Sequence, residues 1–236
     1  MKFGAVIVGG GKGERLGATL PKCLLPIDGI PILLLSVYPF QLISDISAIS
    51  LVVPHDWEDE VRGFVELYEL TRVTAVVPGG ERRQDSVQNG IRALPVEVDR
   101  VIIHDGARPL TKVDLIKDTI EALRHFAAVT TALPISDTIH RWEDGFAEQG
   151  PDRANLWGAQ TPQGFQRTLL TEAYKLSILE QIAFTDEVSL VRKAHGIHAK
   201  LVKGDPCNVK ITFPEDIALF AAQLSARAKN VGGYLV

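Results

Sequence analysis

Phe3 to Val8 is an apolar run that breaks into Gly9, Gly10, Gly11, Lys12, Gly13, Glu14 and Arg15, with Pro21 and Lys22 a few residues on. This pattern predicts a strand that ends in a phosphate-cradling loop. Glycine lets the backbone take left-handed turns and approach a ligand closely, and consecutive N–H groups can then converge on one anion. Arg15 and Lys22 add positive charge beside them. Two familiar glycine motifs do not fit. A Walker loop requires a glycine five residues before its Gly-Lys, where this chain has Val6, and a Ser or Thr after the lysine, where it has Gly13. A dinucleotide fingerprint fails at its third glycine, which falls on Glu14 or on Leu16 depending on the start. The second failure disfavours a nicotinamide oxidoreductase.

Three further constellations carry chemistry. His104-Asp105-Gly106-Ala107-Arg108-Pro109 follows the strand-like Arg100 to Ile103, so Asp105 is expected at the carboxyl edge of a sheet, where open α/β folds bind ligands. A carboxylate there suits Mg²⁺, which takes one or two carboxylates together with substrate phosphates; alternatively, Asp105 caps a turn and pairs with Arg108. Gly79-Gly80 opens a second turn into a helix that contains Ser86. The Gly80 backbone and the Ser86 hydroxyl could read a base edge, or the segment is simply a helix start with surface basic residues. Asn208-Val209-Lys210-Ile211-Thr212 sets a lysine in what reads as an apolar strand, a costly place unless it faces an anion or a carboxylate, or its stem snorkels to solvent. His55, His125, His140, His195 and His198 have no convincing metal spacing and are expected at the surface or in packing; Cys23 is expected to be a core thiol.

The elements that must position these groups alternate. Strands are expected at Phe3 to Val8, Ile49 to Val53, Arg72 to Val77, Arg100 to His104, Ala128 to Leu133 and His198 to Val202. Helices are expected at Pro31 to Leu42, Trp57 to Leu67, Arg83 to Leu94, Lys112 to His125, Arg167 to Glu180 and Asp186 to His195, with a last one opening at Pro214-Glu215-Asp216 and Thr212 as its N-cap. Ile135 to Leu156 breaks the alternation as a polar hairpin arm turning near Asp144-Gly145. A two-stranded ribbon is marginal alone in water, so a partner surface, most simply a second subunit, is expected to cover it. With 236 residues, 46% hydrophobic and 23% charged, the chain has the composition of one globular enzyme domain spanning 1–236. A net charge of −4 argues against general nucleic-acid binding, and the longest apolar stretch, Ile30 to Val37, is far short of the ~20 residues a bilayer requires. The two cysteines, Cys23 and Cys207, have no zinc spacing and suit a reducing cytoplasm.

Taken in order, these segments resemble the 2-C-methyl-D-erythritol 4-phosphate cytidylyltransferases over nearly the whole chain. The resemblance rests on Gly11 to Arg15 with Pro21-Lys22, Gly79-Gly80 with Asp85-Ser86-Val87, His104 to Pro109, Asp137-Thr138, Asp152-Arg153 with Leu156-Trp157, Gln160 to Phe165, Thr185-Asp186-Glu187, and Asn208 to Thr212 with Pro214-Glu215-Asp216. It implies the Rossmann-like nucleotide-diphospho-sugar transferase fold, a mixed, mostly parallel sheet with helices on both faces, and an arm at about 135–156 exchanged across a homodimer. The implied reaction joins CTP to methylerythritol phosphate and releases pyrophosphate. The resemblance places CTP on Gly9, Gly10, Gly11, Gly13, Arg15, Lys22, Gly80, Ser86 and Asp105, with Asp105 near Mg²⁺. It places the sugar phosphate on Asp105, Gly106, Arg108, Thr161 and Lys210, with Thr138 and Arg153 from the partner's arm. Arg15, Lys22 and Lys210 are the implied catalytic cations.

Some positions depart from that family. Gly9-Gly10 stands where two alanines are common, Cys23 where a glutamine often follows Pro-Lys, Gly106 where an alanine is usual, and His140 where a lysine is frequent. None removes a charged group assigned to catalysis. The neighbouring alternatives are a ribitol 5-phosphate cytidylyltransferase, which usually carries Ser-Val-Arg-Pro where this chain has Gly106-Ala107-Arg108-Pro109, and a non-catalytic nucleotide-binding protein of the same fold.

Overall fold

The computed structural model describes residues 1–10, 20–182 and 184–231, so Gly11, Gly13 and Arg15 lie outside the described residues. The strands are β1 (Phe3–Val8), a short ribbon of β2 (Pro26–Ile27) and β3 (Ile30–Pro31), β4 (Ile46–Val53), β5 (Val73–Pro78), β6 (Arg100–Asp105), β7 (Ala128–Pro134), the arm strands β8 (His140–Glu143) and β9 (Phe146–Gln149), β10 (Trp157–Gln166) and β11 (Lys200–Lys203). The helices are α1 (Ile32–Gln41), α2 (Glu58–Leu67), α3 (Arg83–Ala93), α4 (Val113–His125), α5 (Arg167–Leu179), α6 (Glu187–His195) and α7 (Pro214–Val231).

Seven strands form one sheet in the order β11-β7-β10-β6-β1-β4-β5, parallel throughout except for β10, which runs antiparallel to both neighbours. Unbroken apolar runs such as Phe3 to Val8 suit the centre of such a sheet, because helices cover both of its faces. Alternation then divides each strand between two cores. Phe3, Ala5 and Ile7 pack with Leu33, Phe40, Ile116 and Ile120 on the α1/α4 side. Val6, Val101 and Ile103 pack with Val87, Ile91, Leu170 and Leu190 on the α3/α5/α6 side. A third cluster, including Ile27, Ile32, Leu110, Ile211 and Phe220, fixes α7 and the chain just before it to the β2–β3 ribbon.

β1 and β6 are neighbours whose connections leave in opposite directions, which makes the crevice beyond their carboxyl ends the topological switch point of the sheet. Val8 pairs with Asp105 in register, and the Gly106 N–H donates to the Val8 carbonyl at 2.9 Å. The first glycine loop and the His104 to Pro109 turn therefore begin side by side.

The arm follows the sequence expectation. Asp144 and Gly145, with φ of 49° and 91°, connect β8 to β9, the left-handed pair that a tight two-residue hairpin needs. Every residue of both arm strands is exposed.

Three expectations need correction. Trp157–Gln166, not foreseen as a strand, is β10, and pairing on both edges overrides its two glycines and its proline. Asn208 to Thr212 is irregular backbone rather than a strand, held by Ile211, whose N–H donates to the Ala107 carbonyl at 2.9 Å. Thr212 does not cap α7: its hydroxyl donates to the Lys210 carbonyl, and Asp216 reaches back to accept the N–H groups of Thr212 and Phe213.

Close approach of α3 to the sheet depends on Gly90, where a Cβ would lie 2.3 Å from Val6 Cγ1 and 2.8 Å from Val52 Cγ2. Replacing Gly90 by valine should overpack this contact and cost about 2 kcal/mol, lowering Tm by roughly 4–8 °C. Thermal unfolding followed by circular dichroism checks this, and an unchanged Tm would mean that the helix can lift without cost.

Candidate active site

At the switch point lies a cavity of about 710 Å³, lined among others by Gly9, Gly10, Lys22, Gly80, Arg83, Asp105 and Lys210. Its centre is the Asp105 carboxylate at the end of β6, in a residue only 7% exposed. Lys210 Nζ lies 3.0 Å from Oδ2, Arg108 Nε 3.4 Å from the same oxygen, and Arg83 Nε 3.5 Å from Oδ1. Burial alone would raise the Asp105 pKa; the charges of Lys210, Arg83 and Arg108 outweigh it and hold the carboxyl well below the usual range. The sequence reading in which Asp105 pairs with Arg108 is thus met. It also gathers cations from two distant segments, Arg83 and Lys210, into one cavity.

Lys210 faces a carboxylate, as one of its sequence readings required, while its side chain remains 41% exposed toward the cavity. Lys22 lies in a short 3-10 turn, Lys22–Leu24, and its Nζ donates to the Ile211 carbonyl at 3.0 Å. That bond ties the first cation to the chain that carries the second. Cys23 next to it is buried, and burial pushes its thiol up to about 12, so it stays protonated and packs.

Gly80 and Ser86 meet at the cavity wall, but they satisfy each other: the Gly80 N–H donates to Ser86 Oγ at 3.0 Å, and that hydroxyl is 3.3 Å from the Arg82 carbonyl. A Cβ on Gly10 would come 3.1 Å from Gly79 Cα and 3.3 Å from Ser86 Oγ. The two glycine turns therefore approach as closely as their lack of side chains permits. Gly106 sits beneath them, with its carbonyl accepting the Ser36 hydroxyl at 3.0 Å.

Arg83, which the sequence marked only as the start of a basic helix, is a site residue. Its Nη1 donates to both Glu187 carboxylate oxygens at 2.9 and 2.7 Å, and Glu187 is fully buried and also accepts the Tyr174 hydroxyl at 2.9 Å. Burial opposes the Arg83 charge, but Glu187 and Asp105 outweigh it and raise the pKa. The available signal was the acidic Asp186-Glu187 pair at the start of α6, whose partner lies 104 residues away.

Thr161 belongs to the site from behind. Its hydroxyl oxygen accepts the Asp105 N–H at 3.1 Å and lies 2.9 Å from His104 Nδ1, with the residue 4% exposed. Thr138 and Arg153 lie together in a separate cavity at the base of the arm, where Arg153 Nη1 donates to the Ser136 carbonyl. Within one chain they do not join the Asp105 cavity. Among the described residues no group of three or more His, Cys, Asp or Glu could hold a metal, and no helix is long and apolar enough to cross a membrane.

Comparison with known proteins gives the family and the fold. Residues 3–226 match the family model described as 2-C-methyl-D-erythritol 4-phosphate cytidylyltransferase. A protein of that name from Nostoc sp. is 37% identical over 224 residues, 94% of this chain and 97% of the relative. Two solved structures superpose over 95% of the chain. The 4-diphosphocytidyl-2C-methyl-D-erythritol synthase of Anaerococcus prevotii does so with TM-score 0.82 at 29% identity, covering 96% of that chain. The 2-C-methyl-D-erythritol 4-phosphate cytidylyltransferase of Thermus thermophilus does so with TM-score 0.78 at 28% identity, covering all of that chain.

His104, fully buried beside Asp105, supplies a pH test. Burial pushes its pKa down to about 3, against an ordinary value near 6.5. Between those values the unfolded chain binds a proton that the folded chain refuses, so acidification favours unfolding by up to ~1.4 kcal/mol per pH unit. Stability should fall from about pH 6.5 downward, and His104→Gln should flatten that slope. Urea unfolding at several pH values measures it, and identical slopes would show that His104 protonates freely in the fold.

Proposed function

The chain belongs to the 2-C-methyl-D-erythritol 4-phosphate cytidylyltransferase family, and from that premise we propose how its residues carry out the transfer of CMP from CTP to 2-C-methyl-D-erythritol 4-phosphate. The products are 4-diphosphocytidyl-2-C-methyl-D-erythritol and pyrophosphate, in the non-mevalonate route to isoprenoids. The observation that carries the assignment of roles is the convergence of Lys210, Arg108 and Arg83 on Asp105 beside the loop after β1.

A phosphate monoester has a second pKa of about 6 and is largely dianionic at neutral pH, so the attacking oxygen needs no general base. The protein must instead align two anions and compensate the charge that builds at the α-phosphorus. CTP lies against Gly9 and Gly10 and the residues Gly11, Gly13 and Arg15 that follow them in sequence, with Lys22 on its phosphates and its base against Gly80 and Ser86. Methylerythritol phosphate lies on the Asp105, Gly106 and Arg108 turn. In the free protein Asp105 holds the Lys210 ammonium in the cavity; in the complex that ammonium meets the incoming phosphate and steers it to the α-phosphorus. Thr161 supports the turn through the Asp105 N–H.

The donor set fits Mg²⁺. Asp105 is ionised and offers a hard oxygen toward the cavity, which suits an ion that takes most of its remaining ligands from phosphates and water. Bound there, Mg²⁺ would neutralise phosphate charge.

The arm supports a homodimer. Trp142 and Phe146 are 78% and 71% exposed on a ribbon with no core of its own, and a second copy of the chain would cover them while bringing Thr138 and Arg153 to the partner's cavity. The assignment to the cytoplasm rests on the two free cysteines.

Pyrophosphate release with CTP, Mg²⁺ and either methylerythritol 4-phosphate or ribitol 5-phosphate tests the substrate. Preference for the first is expected; silence with both would leave a nucleotide-binding protein. Lys22→Ala and Lys210→Ala should each lower kcat about 10²-fold or more, and a near-normal kcat would remove that residue from catalysis. Arg153→Ala should raise KM for the sugar phosphate. At methylerythritol phosphate well below that raised KM, co-expression of Arg153→Ala with Lys210→Ala should restore about one quarter of wild-type activity, since half the dimers then carry one intact site. No recovery would mean that Arg153 does not act across subunits.

A further inference from the structure

Four buried side chains behind Asp105 close a ring of hydrogen bonds. Asn208, His104, Thr111 and Thr161 are 0%, 0%, 2% and 4% exposed. Asn208 Nδ2 donates to the Thr161 carbonyl at 2.7 Å and lies 3.3 Å from Gln160 Oε1, so its amide nitrogen faces two acceptors and its orientation is fixed. Asn208 Oδ1 therefore faces Thr111, 2.6 Å from Oγ1. Thr111 also lies 3.0 Å from the Arg108 carbonyl and 3.2 Å from His104 Nε2, but it has one proton. The shortest contact, to an oxygen that cannot donate, takes that proton.

The ring then has one consistent direction. With the Thr111 proton on Asn208, His104 Nε2 faces two acceptors, Thr111 Oγ1 at 3.2 Å and the Arg108 carbonyl at 3.4 Å, and must carry a hydrogen. His104 Nδ1 is then bare and accepts the Thr161 hydroxyl at 2.9 Å, while Thr161 Oγ1 accepts the Asp105 N–H at 3.1 Å. A cationic His104 would turn Nδ1 into a donor aimed at the same hydroxyl oxygen; that hydroxyl would then have to aim its own proton elsewhere.

The ring spans four places on the chain: the end of β6, the turn before α4, β10, and the loop two residues before Lys210. We propose that Thr111 and Asn208 are positioning residues for the reaction, acting through an Nε2-protonated His104 to hold the Lys210 chain against the Asp105 turn. Neither lines the cavity with Lys210. Arg108 strengthens the same seam by donating from Nη1 to the Asn208 carbonyl at 2.6 Å. A shift of the Lys210 chain would misplace its ammonium relative to Asp105, and misplacement by about 1 Å can cost on the order of 10²-fold in rate.

This inference rests on the proposed function for the role of Lys210, but the His104 tautomer can be read without any substrate. Long-range ¹H–¹⁵N correlation on ¹⁵N-histidine-labelled wild-type protein should show His104 with Nε2 protonated and Nδ1 bare. A protonated Nδ1 would overturn the ring's direction and with it the proposal. Thr111→Val keeps the shape and removes the hydroxyl. It should lower kcat/KM for methylerythritol phosphate about tenfold and leave KM for CTP within about twofold, whereas Thr111→Ser should stay near wild type. In a Lys210→Ala background Thr111→Val should cost nothing further. Equal losses for both substrates, or losses that multiply with Lys210→Ala, would reduce Thr111 to a structural role. If Thr111→Val does not fold, the tautomer of the wild-type protein decides. An inactive wild type with the expected tautomer would overturn the reaction assignment and leave the ring standing.

Discussion

A carboxylate that stays ionised while almost wholly buried must be compensated, and most of this site is the means by which Asp105 is. The effective penalty for removing such an ion from water is several kcal/mol, so the fold has to deliver cations to it from wherever the chain allows. Arg108 comes from the same turn, Arg83 from the first residue of α3, and Lys210 from the chain before α7. Each delivery is itself anchored. Glu187 and Tyr174 hold Arg83, the buried Ile211 fixes the chain beside Lys210, and Lys22 reaches the Ile211 carbonyl. The cluster thus pins one wall of the switch-point crevice.

His104 and Asp105 are adjacent yet have opposite electrostatics. Strand alternation sends their side chains to opposite faces of the sheet. His104 enters the core beside Phe40, with ring centroids 5.0 Å apart, and burial keeps it neutral. Asp105 turns toward the cavity, where cations outweigh its burial. One ring of neutral hydrogen bonds and one cluster of charges therefore share a two-residue segment, and the first supports the backbone from which the second projects.

Much of this was legible in the residues. The apolar run into Gly9 and Gly10, the carboxylate at the end of β6, the parallel sheet and the arm turn all follow from local rules: side-chain period, glycine at close approaches, and an Asp-Gly pair with positive φ. What was not legible depends on partners far along the chain. Trp157–Gln166 has little intrinsic strand preference and becomes β10 only because β6 and β7 flank it. Arg83 resembles any helix-starting basic residue until Glu187 is placed against it, and Thr111 has no local mark at all. The loop at Asn208 to Thr212 looked like a strand because apolar residues alternate there; Val209 is exposed, and Ile211 packs against α7 and the ribbon instead.

Charge also bears on the role proposed for the arm. Arg83, Arg108 and Lys210 meet Asp105 in or beside the cavity that Lys22 also lines, and Arg83 is largely balanced by Glu187. That leaves a small positive surplus in one chain, well short of what a triphosphate and a dianionic monoester bring together. Arg15 adds one charge and a bound Mg²⁺ two more, both directed to the nucleotide in the proposed arrangement. The sugar phosphate is then served by Lys210 and Arg108, each already shared with Asp105. Arg153 is directed to a carbonyl and otherwise exposed at the base of an uncovered ribbon. A dimer in which the arm crosses over would bury the exposed aromatic residues and deliver that charge in one movement, which is why the proposed site is complete only when two chains build it.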